Sequence, residues 1–225
     1  MKGLFQCCLR ATAAGAVLLG GFGIGVAADE QTPAKAGEQA GEEGTFVRVA
    51  ENQEGWVVIG YRVANESVGK EWVMLDIGMT VQRGVKDQKI TRDQIKLVTP
   101  DKKVIPLATQ QEVQKARNDL AAMVARANMM DDSINYFPAG VTKPCRIGFF
   151  SDPAQTMRGL AFDQVDLNSL SACVGKVFFH VPGGIQLGNY NVDVVFKDSI
   201  VRVPMDIMTK DQAKEFEKKW KEEKK

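Results

Sequence analysis

The residue pattern calls for a mainly β protein, an antiparallel β-sandwich with one inserted helix and a C-terminal amphipathic helix. Three observations carry that reading. Val57, Ile59, Tyr61 and Val63 alternate with other residues, as do Val73, Leu75, Ile77, Met79 and Val81. Period-two alternation marks half-buried strands, because successive side chains point to opposite faces of a sheet. About nine short apolar runs of this kind, separated by turn residues, fit a sandwich. A single stretch in the middle changes to helical spacing.

Residues 1–28 read as an export signal. Lys2 and Arg10 precede the apolar stretch 11–26, and Val26-Ala27-Ala28 supplies the small side chains a signal peptidase reads before Asp29. Cys7 and Cys8 leave with it. Residues 29–44 are rich in Glu, Gln, Ala and Gly with almost no bulky apolar side chain, so a disordered acidic linker is expected. The sandwich is then assigned to residues 45–208.

Within it, Phe46–Ala50 is the first strand and Trp56–Val63 the second, with Ala64–Glu71 as a reversing loop before Trp72–Val81. Gln82–Lys89 reads as a polar connection. Gln94–Val98 and Val104–Leu107 form a hairpin, with Pro100 and Asp101 in the central positions of a type I turn. Cys145–Phe150 reads as a strand, and 151–175 as a long excursion with one short element. Three strands close the domain, with inward faces at Val177, Phe179 and Val181, at Tyr190, Val192, Val194 and Phe196, and at Val201, Val203, Met205 and Ile207. Pro204 cannot donate to a ladder, which puts the last strand at an edge.

Two helices are predicted. Thr109 and Glu112 have capping-box spacing, and Val113, Ala116, Leu120, Val124 and Ala127 form one apolar stripe, giving a helical insertion at about 109–128. Met123, Met129 and Met130 near its end are adaptable apolar contacts. The second helix, 209–225, starts at the capping pair Thr209 and Gln212 and carries Ala213, Phe216 and Trp220 on one face.

The run Val181-Pro182-Gly183-Gly184, Leu187-Gly188-Asn189-Tyr190 and Val192-Asp193-Val194-Val195 resembles the closing strands of immunoglobulin-like domains in exported bacterial envelope proteins. Gly188-x-Tyr190 is similar to the tyrosine corner of that fold. The resemblance implies an immunoglobulin-like sandwich. The tryptophan that such domains place between two sheet-bridging cysteines has no counterpart, since Trp56 and Trp72 both precede Cys145.

Composition narrows function. The formal net charge of +1 gives no basic footprint for nucleic acid. His180 is the sole histidine, so a histidine-based metal site or nucleophile relay is not read. No catalytic residue, cofactor or metal ligand set is assigned. Cys145 and Cys173, the two cysteines beyond the signal, suit one structural disulfide in an oxidising compartment. The expected protein is therefore periplasmic or secreted, without a stable membrane span once the signal is cleaved. Its expected role is a non-enzymatic binding or scaffolding protein of the cell envelope, touching a protein partner through Met129, Met130, Phe216 and Trp220. Two alternatives stand beside it. One is a carbohydrate- or cell-wall-binding domain stacking Trp56 or Trp72 on sugar. The other is a hydrolase using loop carboxylates such as Asp131 with Asp132 or Asp163 with Asp166.

Overall fold

Backbone pairing sorts the strands into two main sheets and one ribbon. The computed structural model describes residues 39–129, 134–151 and 161–223. In chain order the strands are β1 (Gln39–Gly44), β2 (Val47–Glu51), β3 (Gly55–Gly60), β4 (Trp72–Val81), β5 (Gln88–Thr91), β6 (Ile95–Val98), β7 (Val104–Pro106), β8 (Thr142–Arg146), β9 (Gln164–Leu167), β10 (Ser171–His180), β11 (Gly188–Val195) and β12 (Ile200–Ile207). The helices are α1 (Arg62–Asn65), α2 (Gln110–Lys115), α3 (Arg117–Asn128) and α4 (Lys210–Glu223). One sheet runs β1-β2-β3-β4-β10-β8, another β12-β11-β6-β7, and β5 pairs with β9. Every pairing is antiparallel except β8 with β10. The protein is thus mainly β, and neither sheet closes into a barrel.

Strand β12 packs on β2 and β3, so the two large sheets face each other at that edge. Their inward residues share one buried cluster, including Val57, Ile59, Leu75, Ile77, Phe179, Val192, Val203 and Phe196. Alternation in β11 and β12 follows the sequence closely, and exposed Pro204 sits on β12 at a sheet edge. Three of the outer strands carry features that discourage further pairing. Pro106 lies in β7 and Pro204 in β12, while β1 has Glu42, Glu43 and a bulge.

Several sequence expectations need correction. Residues Gln39–Gly44, assigned to the linker, form edge strand β1 on β2. An edge strand is held by backbone bonds and needs few apolar side chains, and Glu42 pairs with Arg48 at 3.1 Å. Residues 1–38 lie outside the described residues. The second strand stops at Gly60, and Arg62–Asn65 turns helical through the Asn65 N–H to Tyr61 carbonyl bond of 2.9 Å. Tyr61 and Val63 are buried there all the same, because this turn packs against β4 and α3. Two apolar residues cannot distinguish that burial from strand alternation. The strand read at Cys145–Phe150 is β8, ending at Arg146, and Ile147–Ser151 continues without a ladder. The polar stretch after β4 and the excursion before β10 each contribute a strand, β5 and β9. The inserted helix breaks at Ala116 (φ −89°, ψ 14°) into α2 and α3. In the β6–β7 turn the Lys102 N–H donates to the Thr99 carbonyl, and Lys102 itself takes φ 65°.

The large sheet is covered on its outer face as well, where half-burial was expected. Met74, Thr80 and Phe178 point outward and are buried. Three strand glycines show where the covers lie. A Cβ on Gly78 would stand 2.5 Å from the Phe137 ring, one on Gly60 3.1 Å from Ile134, and one on Gly175 2.4 Å from the Ile147 carbonyl oxygen. Small residues in these strands let the segments 134–138 and 147–151 approach the backbone. Helix α3 covers the remainder, burying Leu120, Met123, Val124 and Ala127.

Candidate functional site

Between these three covers the outer face stays open as a cleft. Its floor is the ion pair of Lys176 and Asp76, 2.8 Å apart and directly opposed in the β10–β4 register. One lobe, about 200 Å³, lies between α3 and the 147–151 segment and is lined by Val124, Arg146, Ile147, Phe150 and Phe178 among others. A second lobe, about 220 Å³, is lined by Gly60, Arg62, Met74, Asp76 and Ile134. Asn128, the last residue of α3, and Lys176 line both lobes.

Local chemistry explains why the walls stand where they do. Thr109 and Glu112 form the expected capping box at the start of α2. The bond from the Thr109 N–H is the main force holding the Glu112 carboxyl below its usual range. The 147–151 wall is fixed by side chains instead of a ladder. Arg92 donates to the Phe149 carbonyl at 2.6 Å and to the Ala108 carbonyl, and stacks on the Phe150 ring at 4.5 Å. Gln110 donates to the same Phe149 carbonyl. Burial pulls the Arg92 guanidinium below its usual value, and the Asp163 carboxylate opposes that shift. Two residues before the wall, Cys145 is bridged to Cys173, with Cα atoms 4.1 Å apart on paired strands.

The cleft is cationic on balance. Among the described residues Arg62, Arg146 and Lys176 line it with the carboxylate of Asp76. Arg62 is held by Glu217 of α4 at 3.0 Å. Arg146 is exposed and forms no ion pair among the described residues. Comparison with family models, with curated proteins and with solved structures finds no match to this chain.

The structure separates the predicted contact residues. Met129 follows Asn128, the last residue of α3, and is 80% exposed. Met130 lies outside the described residues, as do Asp131 and Asp132. Met123 is buried. Phe216 faces its own domain, over the guanidinium of Arg48 at 5.4 Å. Trp220 continues the half-buried stripe of Ala213, Phe216 and Glu217. The two tryptophans considered as sugar platforms sit toward opposite ends of the large sheet. The Trp56 indole donates to the Tyr136 carbonyl at 2.8 Å, while Trp72 packs on His180 with ring centres 5.0 Å apart. His180 is half-buried beside Glu71 at 3.5 Å, an edge position. Asp166 pairs with Lys89 on the β5–β9 ribbon. Among the described residues no helix is long and apolar enough to cross a membrane, and no three His, Cys, Asp or Glu side chains group as metal ligands.

Sequence reasoning missed the cleft residues. Asp76 and Lys176 are 100 positions apart, and only strand register joins them. The available signal was a charged residue facing outward in each of two otherwise apolar strands.

Proposed function

We propose that this chain is an exported, non-enzymatic binding or scaffolding protein of the cell envelope that works through protein–protein contacts. The observation that carries the reading is the open cleft, which Asn128 helps to line, with the exposed Met129 next to Asn128 in the chain. An exposed methionine beside a charged depression suits a protein partner, because its flexible thioether adapts to irregular apolar surfaces. Blunted sheet edges direct such contact to a face instead of strand addition. The signal-like leader and the Cys145–Cys173 pair support an oxidising compartment outside the cytoplasm.

The frame we propose is an immunoglobulin-like sandwich. Its support is Tyr190, whose hydroxyl accepts from the Gln186 N–H at 2.9 Å and donates to the Gln186 carbonyl at 3.1 Å, four residues upstream. A tyrosine corner makes the same kind of bond. The disulfide departs from the pattern, because it joins neighbours within one sheet.

The test is photo-cross-linking in the envelope fraction with a benzophenone amino acid in place of Met129. The expected result is one reproducible envelope protein, identified by mass spectrometry, joined to a mature chain starting at Asp29. Recovery of no neighbour, or retention of the chain in the cytoplasm, overturns the proposal.

A further inference from the structure

The lobe beside Arg146 has a chemistry that specifies its occupant more narrowly. At about 200 Å³ this lobe has room for one side chain. Its walls divide into two parts. The small exposed edge of Phe150, with buried Val124 and Phe178 behind it, is apolar, and Arg146 and Lys176 offer donors. The bond to Asp76 uses one of the three N–H donors of the Lys176 ammonium. Arg146 presents a planar fork suited to bidentate binding of a carboxylate. The C-terminal carbonyls of α3 at Asn128 oppose an anion with a partial negative charge, which the one net positive charge of Arg146, Lys176 and Asp76 outweighs.

We propose that this lobe receives an acidic side chain of the protein partner, with glutamate favoured over aspartate. Arg146 clamps the carboxylate, Lys176 shares itself between that carboxylate and Asp76, and the glutamate methylenes lie against the exposed edge of Phe150. Met129 supplies the adjoining apolar contact. This inference rests on the protein-binding reading above and adds the partner's chemistry to it. Half-burial of Lys176 makes the contact stronger than a pair in open water, because nearby low-dielectric walls reduce screening.

The experiment uses the mature chain and a fluorescein-labelled hexaglutamate peptide, with hexaaspartate and hexalysine peptides for comparison, read by anisotropy at low and high salt. Hexaglutamate is expected to bind at low salt, hexaaspartate more weakly and hexalysine not at all. Arg146→Glu and Lys176→Met are each expected to weaken hexaglutamate by about tenfold or more. Lys197→Glu, a reversal at an exposed residue elsewhere, should leave it unchanged. Arg146 is exposed, so its variant keeps the fold, as circular dichroism will verify, and it decides the matter if Lys176→Met unfolds. Hexaglutamate binding that is absent, or equal in wild type and Arg146→Glu, overturns the proposal. The cross-link at position 129 separates this failure from failure of the parent reading. The same identified neighbour captured equally by wild type and Arg146→Glu retains protein binding and removes the carboxylate clamp. Loss of all neighbours removes both.

Discussion

The ring centre of Phe216 lies 5.4 Å from the guanidinium carbon of Arg48. The same guanidinium stands 5.3 Å from the centre of the Tyr61 ring and donates to the carbonyls of Gly44 and Val47, both at 3.1 Å. One buried arginine therefore joins β1, β2, the turn after β3 and the terminal helix. Asn65 reinforces the junction by accepting from the Met208 N–H at 2.6 Å, just before α4.

Helix α4 consequently depends on its aromatic stripe for docking. Phe216→Ala is expected to lower stability by about 1–2 kcal/mol, combining a lost cation–π contact with lost apolar burial. Hydrogen exchange in α4 should quicken while that of β11 stays protected. An unchanged exchange pattern would show that Phe216 does not hold the helix.

Tyr61 is buried, and among the described residues its hydroxyl has no well-formed hydrogen bond, only the Asp206 backbone standing near it. Burial pushes its ionisation up to about 12, against the opposing pull of Arg48. The unfolded chain therefore releases this proton first. Its contribution is complete below the ordinary tyrosine value of 10.0 and is lost as pH rises through about 12. Tyr61→Phe removes a poorly paired polar group and should stabilise the protein by about 1 kcal/mol at neutral pH. It should also flatten the alkaline limb of a urea-midpoint profile.

Two glycine substitutions should diverge sharply. In Gly175→Ala the new methyl meets the Ile147 carbonyl oxygen at 2.4 Å, a backbone atom, and a loss of about 2 kcal/mol or more is expected. Gly41→Ala meets nothing within 4 Å and should stay within about 0.5 kcal/mol of wild type. Chemical denaturation of both variants checks the contrast.

Reduction of the Cys145–Cys173 bridge frees a loop spanning 28 positions. The entropic model gives a loss of about 3–4 kcal/mol. Because the bridge immediately precedes Arg146 and Ile147, exchange should rise first in β8 and the 147–151 wall. A Cys145→Ser, Cys173→Ser protein should behave like the reduced chain. A melting temperature unmoved by reductant would refute the assignment.

Acid acts through Glu112, Asp93 and Asp101. Backbone and side-chain bonds from Thr109 lower Glu112, the Thr91 hydroxyl lowers Asp93, and Lys103 lowers Asp101. With folded values below the ordinary ones, their contribution is present above the usual carboxylate range and lost as pH falls through the lowered values. Thr109→Ala should cost about 1 kcal/mol at neutral pH through loss of the cap. That difference should shrink only in part in acid, because protonating Glu112 weakens the Thr109 hydroxyl bond to its carboxylate and leaves the Glu112 N–H bond to that hydroxyl in place, as paired urea titrations would show.

Much of the fold was legible because its signals are short-range. Strands β3, β4, β11 and β12 announce themselves by alternation, and α2 by the Thr109–Glu112 box. Strands β5 and β9 escaped notice because four mixed residues, such as Gln88-Lys89-Ile90-Thr91, carry too little period to detect. Strand β1 escaped because an edge held by backbone bonds has no apolar signature. Of the candidate site, Met129 was named in advance, while Arg146, Asp76 and Lys176 were not.

The sequence by itself determined that β3, β4, β11 and β12 extend and that α2 coils, since those choices depend on side chains within a few residues of one another. It also determined that one face of each long strand avoids water. Tertiary structure alone decided what covers the opposite face, that Phe216 turns inward to Arg48, and that Lys176 meets Asp76 beneath an open cleft. Those outcomes depend on strand register and on contacts between positions as far as 168 residues apart, Arg48 and Phe216 among them, and no local period encodes such distances.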